Sequence, residues 1–417
     1  MENKKFTSIV FGADALGYSF AREMYRVYGV KSIVNASVIQ KYTYYSKFTD
    51  YHTYPDADKE DNMIEWLREN AGKFESTPLV YGGAGDWRAR SLSKHKKELE
   101  DLGYVIPYID FELLDRVTQK DIFYSMCDKL DVPYPKTMVL PFGNSYDSSV
   151  LDGTDMRVVT EEDLDNLEYP LIAKPSNSAG WHNAEIRDRH KVYYVESKER
   201  MHEIYNDVNA SDYSYALLLQ EVLSTSDESL HSLTTFSDKD GNMIFGVTGY
   251  VLIQDRSATG IGNPLCILGG DRRDDLLEAA QKLLKEMKYE GYANFDVMDG
   301  KDGKPRFLEV NTRPGRNTFY VSLAGCPFVK PMVENYVFKK DLREALTEDE
   351  LKADKEFLFS MVPRSIISKE AHGEKRERAL KLFDSSKWGS PLLCKEDTLK
   401  QRFWARINFE HMRSKFK

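Results

Sequence analysis

Four cysteines in 417 residues, Cys127, Cys266, Cys326 and Cys394, are scattered without a Cys-x-x-Cys pair. That argues against a thiolate zinc site and against a disulfide framework. No stretch approaches the roughly 20 apolar residues of a membrane span. The apolar run of the opening MENKKFTSIVFGADALG breaks at Asp14, so neither a secretory leader nor a spanning helix is expected. Positive charge is not in excess either. Lys and Arg number 58 against 67 Asp and Glu, a net charge of −9, which excludes a nucleic-acid binder by bulk electrostatics. These absences suit a reducing, cytoplasmic setting. The charge is unevenly spread: from Arg364 onward 14 Lys/Arg face 7 Asp/Glu, leaving about −16 for the rest. A basic tail of this kind is a solvated helical face, or a surface able to approach a phosphate-rich ligand or make peripheral contact with an anionic membrane.

What is present is enough apolar residue, 41% with 12% aromatic, for two to four domains of ordinary size. Phe6 to Phe11 reads as a strand, Gly12 to Gly17 as a small-residue turn and Tyr18 to Tyr28 as a helix. Lys31 to Val38 and Pro78 to Tyr81 read as further strands, with a helix over Asn62 to Asn70 between them. The alternation predicts a Rossmann-like parallel sheet. The dinucleotide fingerprint G-x-G-x-x-G is absent, because Asp14 stands at its second glycine and would bring negative charge to a phosphate site. A nucleotide-dependent oxidoreductase is disfavoured on that ground. Loops Gly12 to Gly17 and Gly82 to Asp86 lie where ligands border α/β sheets, or are only tight turns.

Further on, Thr118 reads as the N-cap of a helix to about Leu130, with Ile122, Phe123, Met126, Cys127 and Leu130 as its apolar stripe. Lys120 in its first turn opposes the helix dipole, which makes a ligand-binding role more attractive, while on the residues alone an exposed lysine of no consequence is the favoured reading. Tyr169 to Lys174 reads as a strand, followed by Pro175-Ser176-Asn177-Ser178-Ala179-Gly180. Small residues after a lysine can wrap phosphate oxygens, with Ser176 and Ser178 among the donors; the alternative is a serine-rich surface turn. Gly143 to Glu162 reads as a loop and Ala216 to Leu223 as a buried strand. His231 to Phe236 and Met243 to Ile253 are expected to pair. Arg256 to Asn263 reads as a loop whose Arg256 meets a phosphate or lies on the surface, and Asp275 to Lys288 as an amphipathic helix.

The most specific stretch is Tyr289 to Arg316, two strands about the turn residues Asp299-Gly300 and Asp302-Gly303. Strand periodicity puts Glu309, Asn311 and Arg313 on one face, and folding the hairpin sets Asp296 opposite or nearly opposite Glu309. Facing carboxylates about 5 Å apart repel unless a cation lies between them. Mg²⁺, which takes oxygen ligands, fits Asp296, Glu309 and Asn311; a solvated acidic hairpin is the bland alternative.

The run from Asp296 to Leu308-Glu309-Val310-Asn311-Thr312-Arg313-Pro314-Gly315 resembles the metal-binding hairpin of ATP-grasp ligases. YANFDVMD and FLEVNTRPGRNTFYVSLAG are similar, more narrowly, to the D-aspartate ligases of peptidoglycan cross-bridge synthesis. The resemblance covers roughly the first four fifths of the chain. It implies an α/β protein, α+β in its central domains, with an ATP-grasp fold behind a Rossmann-like domain and a small helical C-terminal extension. The implied divisions are 1–115 (N-terminal), 116–220 (lid region), 221–339 (catalytic and metal region) and 340–417 (basic extension). It implies Lys120 and Lys174 on ATP phosphates, and Gln220, Glu221 and Leu223 at the adenine. Glu228, or Asp227, takes the ribose. Asp296, Glu309 and Asn311 hold one or two Mg²⁺. Arg313 would stabilise the transferring phosphoryl group, and Arg316 would clamp a substrate carboxylate.

The implied reaction is carboxylate–amine ligation through an acyl phosphate, with ADP and phosphate as products. The implied donor is D-aspartate, activated on its side chain, and the acceptor a Lys or Orn side-chain amine of a UDP-linked muropeptide. Asn294 stands where dipeptide-forming D-alanine ligases carry Arg, which argues against that relative. Another amino acid, or a non-catalytic ATP-binding module, are the alternatives. No general base is evident.

Overall fold

A computed structural model describes residues 6–57, 59–143, 146–224, 229–257, 260 and 262–416. The chain forms two compact units. Unit 1 gathers Met1–Leu114, Ser226–Phe295 and Asn311–Lys417, and unit 2 gathers Asp115–Thr225 and Asp296–Val310.

In unit 1 the opening strands β1 (Phe6–Phe11), β2 (Ser32–Ala36), β3 (Thr49–Thr53) and β4 (Thr77–Tyr81) form a sheet in the order β3-β2-β1-β4. Every pair is parallel, with Ile9 beside Ile33 and Val80. Buried Ile9, Val10 and Phe11 explain the near-continuous apolar run, since crossover helices cover both faces of a parallel sheet. The first helix begins earlier than its apolar period suggested, at Ala15. Asp14 is its N-cap and accepts from the amides of Leu16 and Gly17 at 3.1 and 3.0 Å, which satisfies donors a phosphate would otherwise use. Gly12 before it has φ 102° and approaches Arg88 so closely that a Cβ would lie 2.4 Å from Nη1, so no larger residue fits.

Unit 2 is built on a five-stranded sheet, ordered β6-β5-β9-β7-β8. Its strands are β5 (Thr137–Pro141), β6 (Arg157–Val158), β7 (Leu171–Pro175), β8 (Tyr193–Val195) and β9 (Ala216–Glu221). The expected strand at Tyr169 thus starts two residues later, and Ala216–Leu223 stops at Glu221. Two corrections concern local chemistry. Thr118 is not the helix cap: the helix is Lys120–Lys129 with Gln119 as N-cap, and the Thr118 hydroxyl donates to Asp115 O. The expected loop after Lys174 is partly helical, because Ser178–Asn183 makes a turn and a half whose cap, Asn177, accepts from Gly180 N at 2.8 Å. The expected loop at 143–162 also holds a short 3₁₀ turn at Ser148–Leu151, strand β6 and the start of a second 3₁₀ turn at Glu161; Asn144 and Ser145 lie outside the described residues.

The third sheet runs β14-β13-β10-β11-β12-β15-β16. Its strands are β10 (Leu230–Ser237), β11 (Met243–Gln254), β12 (Pro264–Gly269), β13 (Gly291–Asp299), β14 (Pro305–Asn311), β15 (Phe357–Ser360) and β16 (Trp388–Gly389). Strands β10 and β11 pair antiparallel around Asp238–Asn242, as expected. Helix Asp274–Met287 buries Leu276, Ala279, Ala280, Leu283, Leu284 and Met287, the face its period marks out. Gly246 of β11 lets that helix approach, since a Cβ there would meet Leu277 Cδ2 at 2.4 Å.

The C-terminal stretch is helical, but it also supplies β15, antiparallel to β12, and β16 beside it. Asp397, 7% exposed, ties it to the first sheet's helices by accepting from Tyr18 Oη (2.9 Å), Ser46 Oγ (2.7 Å) and Lys47 N (2.9 Å). Removing a buried acceptor leaves its donors unsatisfied. Asp397→Ala is therefore expected to lower the unfolding free energy by about 3 kcal/mol, read from the urea midpoint at unchanged slope.

Candidate active site

In unit 2, helix Lys120–Lys129 sets Lys120 and Tyr124 one turn apart on a single face. Lys120 is 8% exposed. Its ammonium lies 3.2 Å from Glu309 Oε2 and 3.1 Å from the Ser178 hydroxyl, while its amide donates to Ser176 O at 3.0 Å. Lys174, 9% exposed, leaves β7 and donates to the Tyr124 hydroxyl at 2.8 Å. That hydroxyl in turn donates to Leu308 O at 2.7 Å. One helix thereby joins β7 to β14, and the phenol relays between them.

The electrostatics follow from this crowding. Burial, then the neighbouring Lys120 charge, presses Lys174 down to about 7, against the opposing pull of Glu309 and Asp296. Glu309 is pushed up by burial, but Lys120, Lys191 and Lys174 outweigh that and hold it well below the usual carboxylate range. Burial keeps the Tyr124 phenol protonated, as its donation to Leu308 requires. Lys174, pressed down by burial and by the Lys120 ammonium beside it, sits where the nearby carboxylates do not fully offset the positive charge. Such a place favours a polyanion.

The remaining expected residues of unit 2 fall as follows. Ser176 is fully buried and its hydroxyl accepts from Ala216 N at 3.3 Å, so it serves the β7–β9 junction. Gln220 donates to Thr137 Oγ1 at 2.7 Å, and Glu221 accepts from Lys136 N at 3.0 Å. Leu223 is buried. Asp296 is half-buried. Glu228 and Asp227 lie outside the described residues. Tyr124 and Lys191 were missed by sequence reasoning. The four-residue step from Lys120 marks Tyr124; nothing in the sequence marks Lys191.

In unit 1, Asn311 ends β14 and donates to Asn294 O at 3.4 Å. Asn294 accepts from Thr234 at 2.8 Å, and Asn317 donates to Ser232 at 2.8 Å; all four are buried. This polar layer underlies the Arg313–Arg316 turn, where a Cβ on Gly315 would sit 2.5 Å from Asn317 Oδ1. Arg313 is bound by Asp86, Nε at 2.7 Å and Nη2 at 2.6 Å from the same oxygen, a partner the sequence did not disclose. Arg316 is exposed. Arg256 pairs with Glu370 at 2.8 Å, which accounts for it structurally. Among the described residues no group of three or more His, Cys, Asp and Glu gathers, and the expected metal set, two carboxylates and an amide, is not of that kind.

The three-sheet architecture is the ATP-grasp fold. Over its whole length it is similar to one protein in particular, the D-aspartate ligase of Enterococcus faecium (strain Aus0004): 27% identity over 423 residues, covering 100% of this chain and 97% of that one. No family model matches. Among solved structures, the fold is shared with the biotin carboxylase domain of the Hydrogenobacter thermophilus 2-oxoglutarate carboxylase, solved with MgADP, ADP and bicarbonate. The TM-score is 0.59 at 15% identity, over 84% of this chain and 73% of that one. It is shared likewise with an L-amino acid ligase from Bacillus licheniformis, TM-score 0.56 at 16% identity over 84% and 78%.

The depressed Lys174 carries a sign that can be read. Its native pKa, about 7, lies below the ordinary lysine value of 10.5, so the unfolded chain binds this proton more tightly. The resulting penalty is complete below pH 7 and lifts as pH rises toward the unfolded value. Lys174→Met is expected to raise the unfolding free energy of the protein without nucleotide at pH 7 by on the order of 2 kcal/mol. It should also flatten the rise in stability between about pH 7 and pH 10. Denaturant titrations across that range check both.

Proposed function

We propose that the chain activates the side-chain carboxylate of D-aspartate with ATP and joins it to the side-chain amine of a Lys or Orn in a UDP-linked muropeptide, in the cytoplasm. The observation that carries the ligase chemistry is the buried pairing of Lys120 and Lys174 around Glu309. The similarity to a D-aspartate ligase supports the donor and cross-bridge assignment.

In this reading the carboxylate attacks the γ-phosphate, giving an acyl phosphate and ADP. The amine then attacks the acyl carbon and expels phosphate, leaving an amide. Phosphoryl transfer asks the protein mainly for positioning and charge neutralisation. Lys120 and Lys174 hold phosphate oxygens, with Ser178 beside Lys120; Ser176 supports the strand beneath. Gln220, Glu221 and Leu223 border the adenine, and Glu228 or Asp227 the ribose. Asp296, Glu309 and Asn311 would hold one or two Mg²⁺, which would supply neutralisation of the nucleotide's phosphate charge. Arg313, oriented by Asp86, faces the transferring phosphoryl group, and exposed Arg316 takes a substrate carboxylate in bidentate fashion. We retain the four-part division at 115, 220 and 339 as the functional division of the chain.

The test is incubation with ATP, Mg²⁺, hydroxylamine and a panel of D- and L-amino acids, with hydroxamate and ADP as readouts. D-Aspartate is expected to give hydroxamate. Hydroxamate from a different acid alone would overturn the donor assignment and keep the ligase, while a protein that binds ATP yet releases no ADP with any acid is a binding module. Glu309→Gln is expected to reduce ADP release by about a hundredfold or more through loss of the metal site. Arg316→Lys, which loses the fork geometry, is expected to raise KM for the acid about tenfold with a smaller change in kcat.

A further inference from the structure

Helix Leu399–His411 is fixed from one side only. Its inner row Gln401, Ala405 and Phe409 is buried. Gln401 donates to Leu392 O at 3.0 Å, and the cap Thr398 both accepts from Gln401 N at 3.1 Å and donates to Tyr45 O at 2.6 Å. The short helix Lys41–Tyr44 lies alongside it, with Lys41 Nζ 3.8 Å from the centre of the Trp404 ring. The opposite face presents Leu399, Phe403 and Ile407, which are 79%, 60% and 41% exposed. These residues follow one another at four-residue steps, so they form one continuous apolar row on a helix that is otherwise firmly seated.

We infer that this row is a docking surface for an anionic lipid membrane, on which the helix lies flat. The flanks of the row carry Lys400 and Arg402, together with Arg406, which with Arg413 engages the one acid within the helix, Glu410, at 2.6 and 2.8 Å. Basic flanks about an apolar stripe are what an interfacial helix needs, the stripe entering the headgroup boundary while the cations meet anionic lipid. In a chain of net charge −9, the stretch from Arg364 onward carries 14 Lys/Arg against 7 Asp/Glu, which favours this stretch over the rest of the chain at an anionic surface. A second copy of this chain is the poorer occupant, because a symmetric contact would bring the same basic flanks together. The helix, at 13 residues, is too short to span, and no described helix is long and apolar enough to do so.

The inference is independent of the ligase reading, so the test separates them. The full chain is mixed with vesicles of phosphatidylcholine alone, or with about one third phosphatidylglycerol, and floated on a density gradient. Binding to the anionic vesicles is expected, about tenfold weaker on phosphatidylcholine and weaker again at high salt. Replacing the row by Leu399→Ser, Phe403→Ser and Ile407→Ser together should abolish flotation and leave ADP release unchanged. Lys400→Gln with Arg402→Gln, which leaves the seated face and the apolar row intact, should weaken binding by about tenfold, and this variant carries the test if the serine variant misfolds. Equal flotation of wild type and both variants would overturn the inference. So would failure of the wild type to float with anionic vesicles, or a wild-type dimer that the serine variant converts to monomer without any lipid dependence.

Discussion

Two buried lysines about a single partly buried glutamate are the constraint on which unit 2 is arranged. Lys120 and Lys174 come from different elements, a helix and the end of a strand, and nothing in the sheet by itself obliges them to meet. Tyr124 does. Its hydroxyl accepts from Lys174 and donates to Leu308 O, so the helix that carries Lys120 also holds β7 and β14. A phenol suits this relay because burial keeps it protonated, letting one oxygen be donor and acceptor at once. Phenylalanine would fill the volume and leave both the ammonium and a strand carbonyl without that partner.

Lysine is here accepted at a cost. Left alone, a cation pressed toward neutrality lowers native stability, and natural chains keep such groups where function requires them. Glu309 answers the charge only in part, because three lysines act on it. A pocket with that imbalance is suited to a polyanion, and on the proposed reading this is why a helix whose first turn holds a lysine, against its own dipole, is kept. The opening βαβ unit shows the reverse. There the helix N-terminus, a natural anion site, is closed from within by the Asp14 carboxylate, so the Rossmann-like sheet offers no phosphate cradle at that turn. Its other loop instead sends Asp86 to Arg313.

Legibility in the sequence tracked the range of the forces involved. The parallel strands, the amphipathic helix Asp274–Met287 and the hairpin β13–β14 were readable because periodicity and turn residues are local signals. One boundary error arose where a polar side chain replaced an apolar one as the determinant, since Asp14 starts its helix before the apolar period begins; at the second, Gln119 rather than Thr118 sits at the cap, with no side-chain capping bond to mark it. The segment after Lys174 was read as open chain because Ser, Asn and Gly favour turns, yet Asn177 uses that same preference to cap a short helix. Strands of two to four residues such as β15 and β16 leave almost no alternation to detect, and pairings such as Asp86 with Arg313, or Asp397 with Tyr18, depend on chain folding over hundreds of residues.

That last class of contact changes what the C-terminal stretch is. Asp397 accepts three donors from the first hundred residues, and Arg22 of the first helix gives Nη1 to the carbonyls of Ser390, Pro391 and Leu393 while its guanidinium lies 4.1 Å from the centre of the Phe319 ring. Phe416 is buried among Leu252, Leu358 and Ile367. A basic tail held at so many buried points cannot behave as a disordered charged arm, whose charges would be averaged over many conformations. Its cations are presented in fixed places on a fixed face, so the exposed row Leu399–Phe403–Ile407 is a property of the folded chain and not of a frayed end.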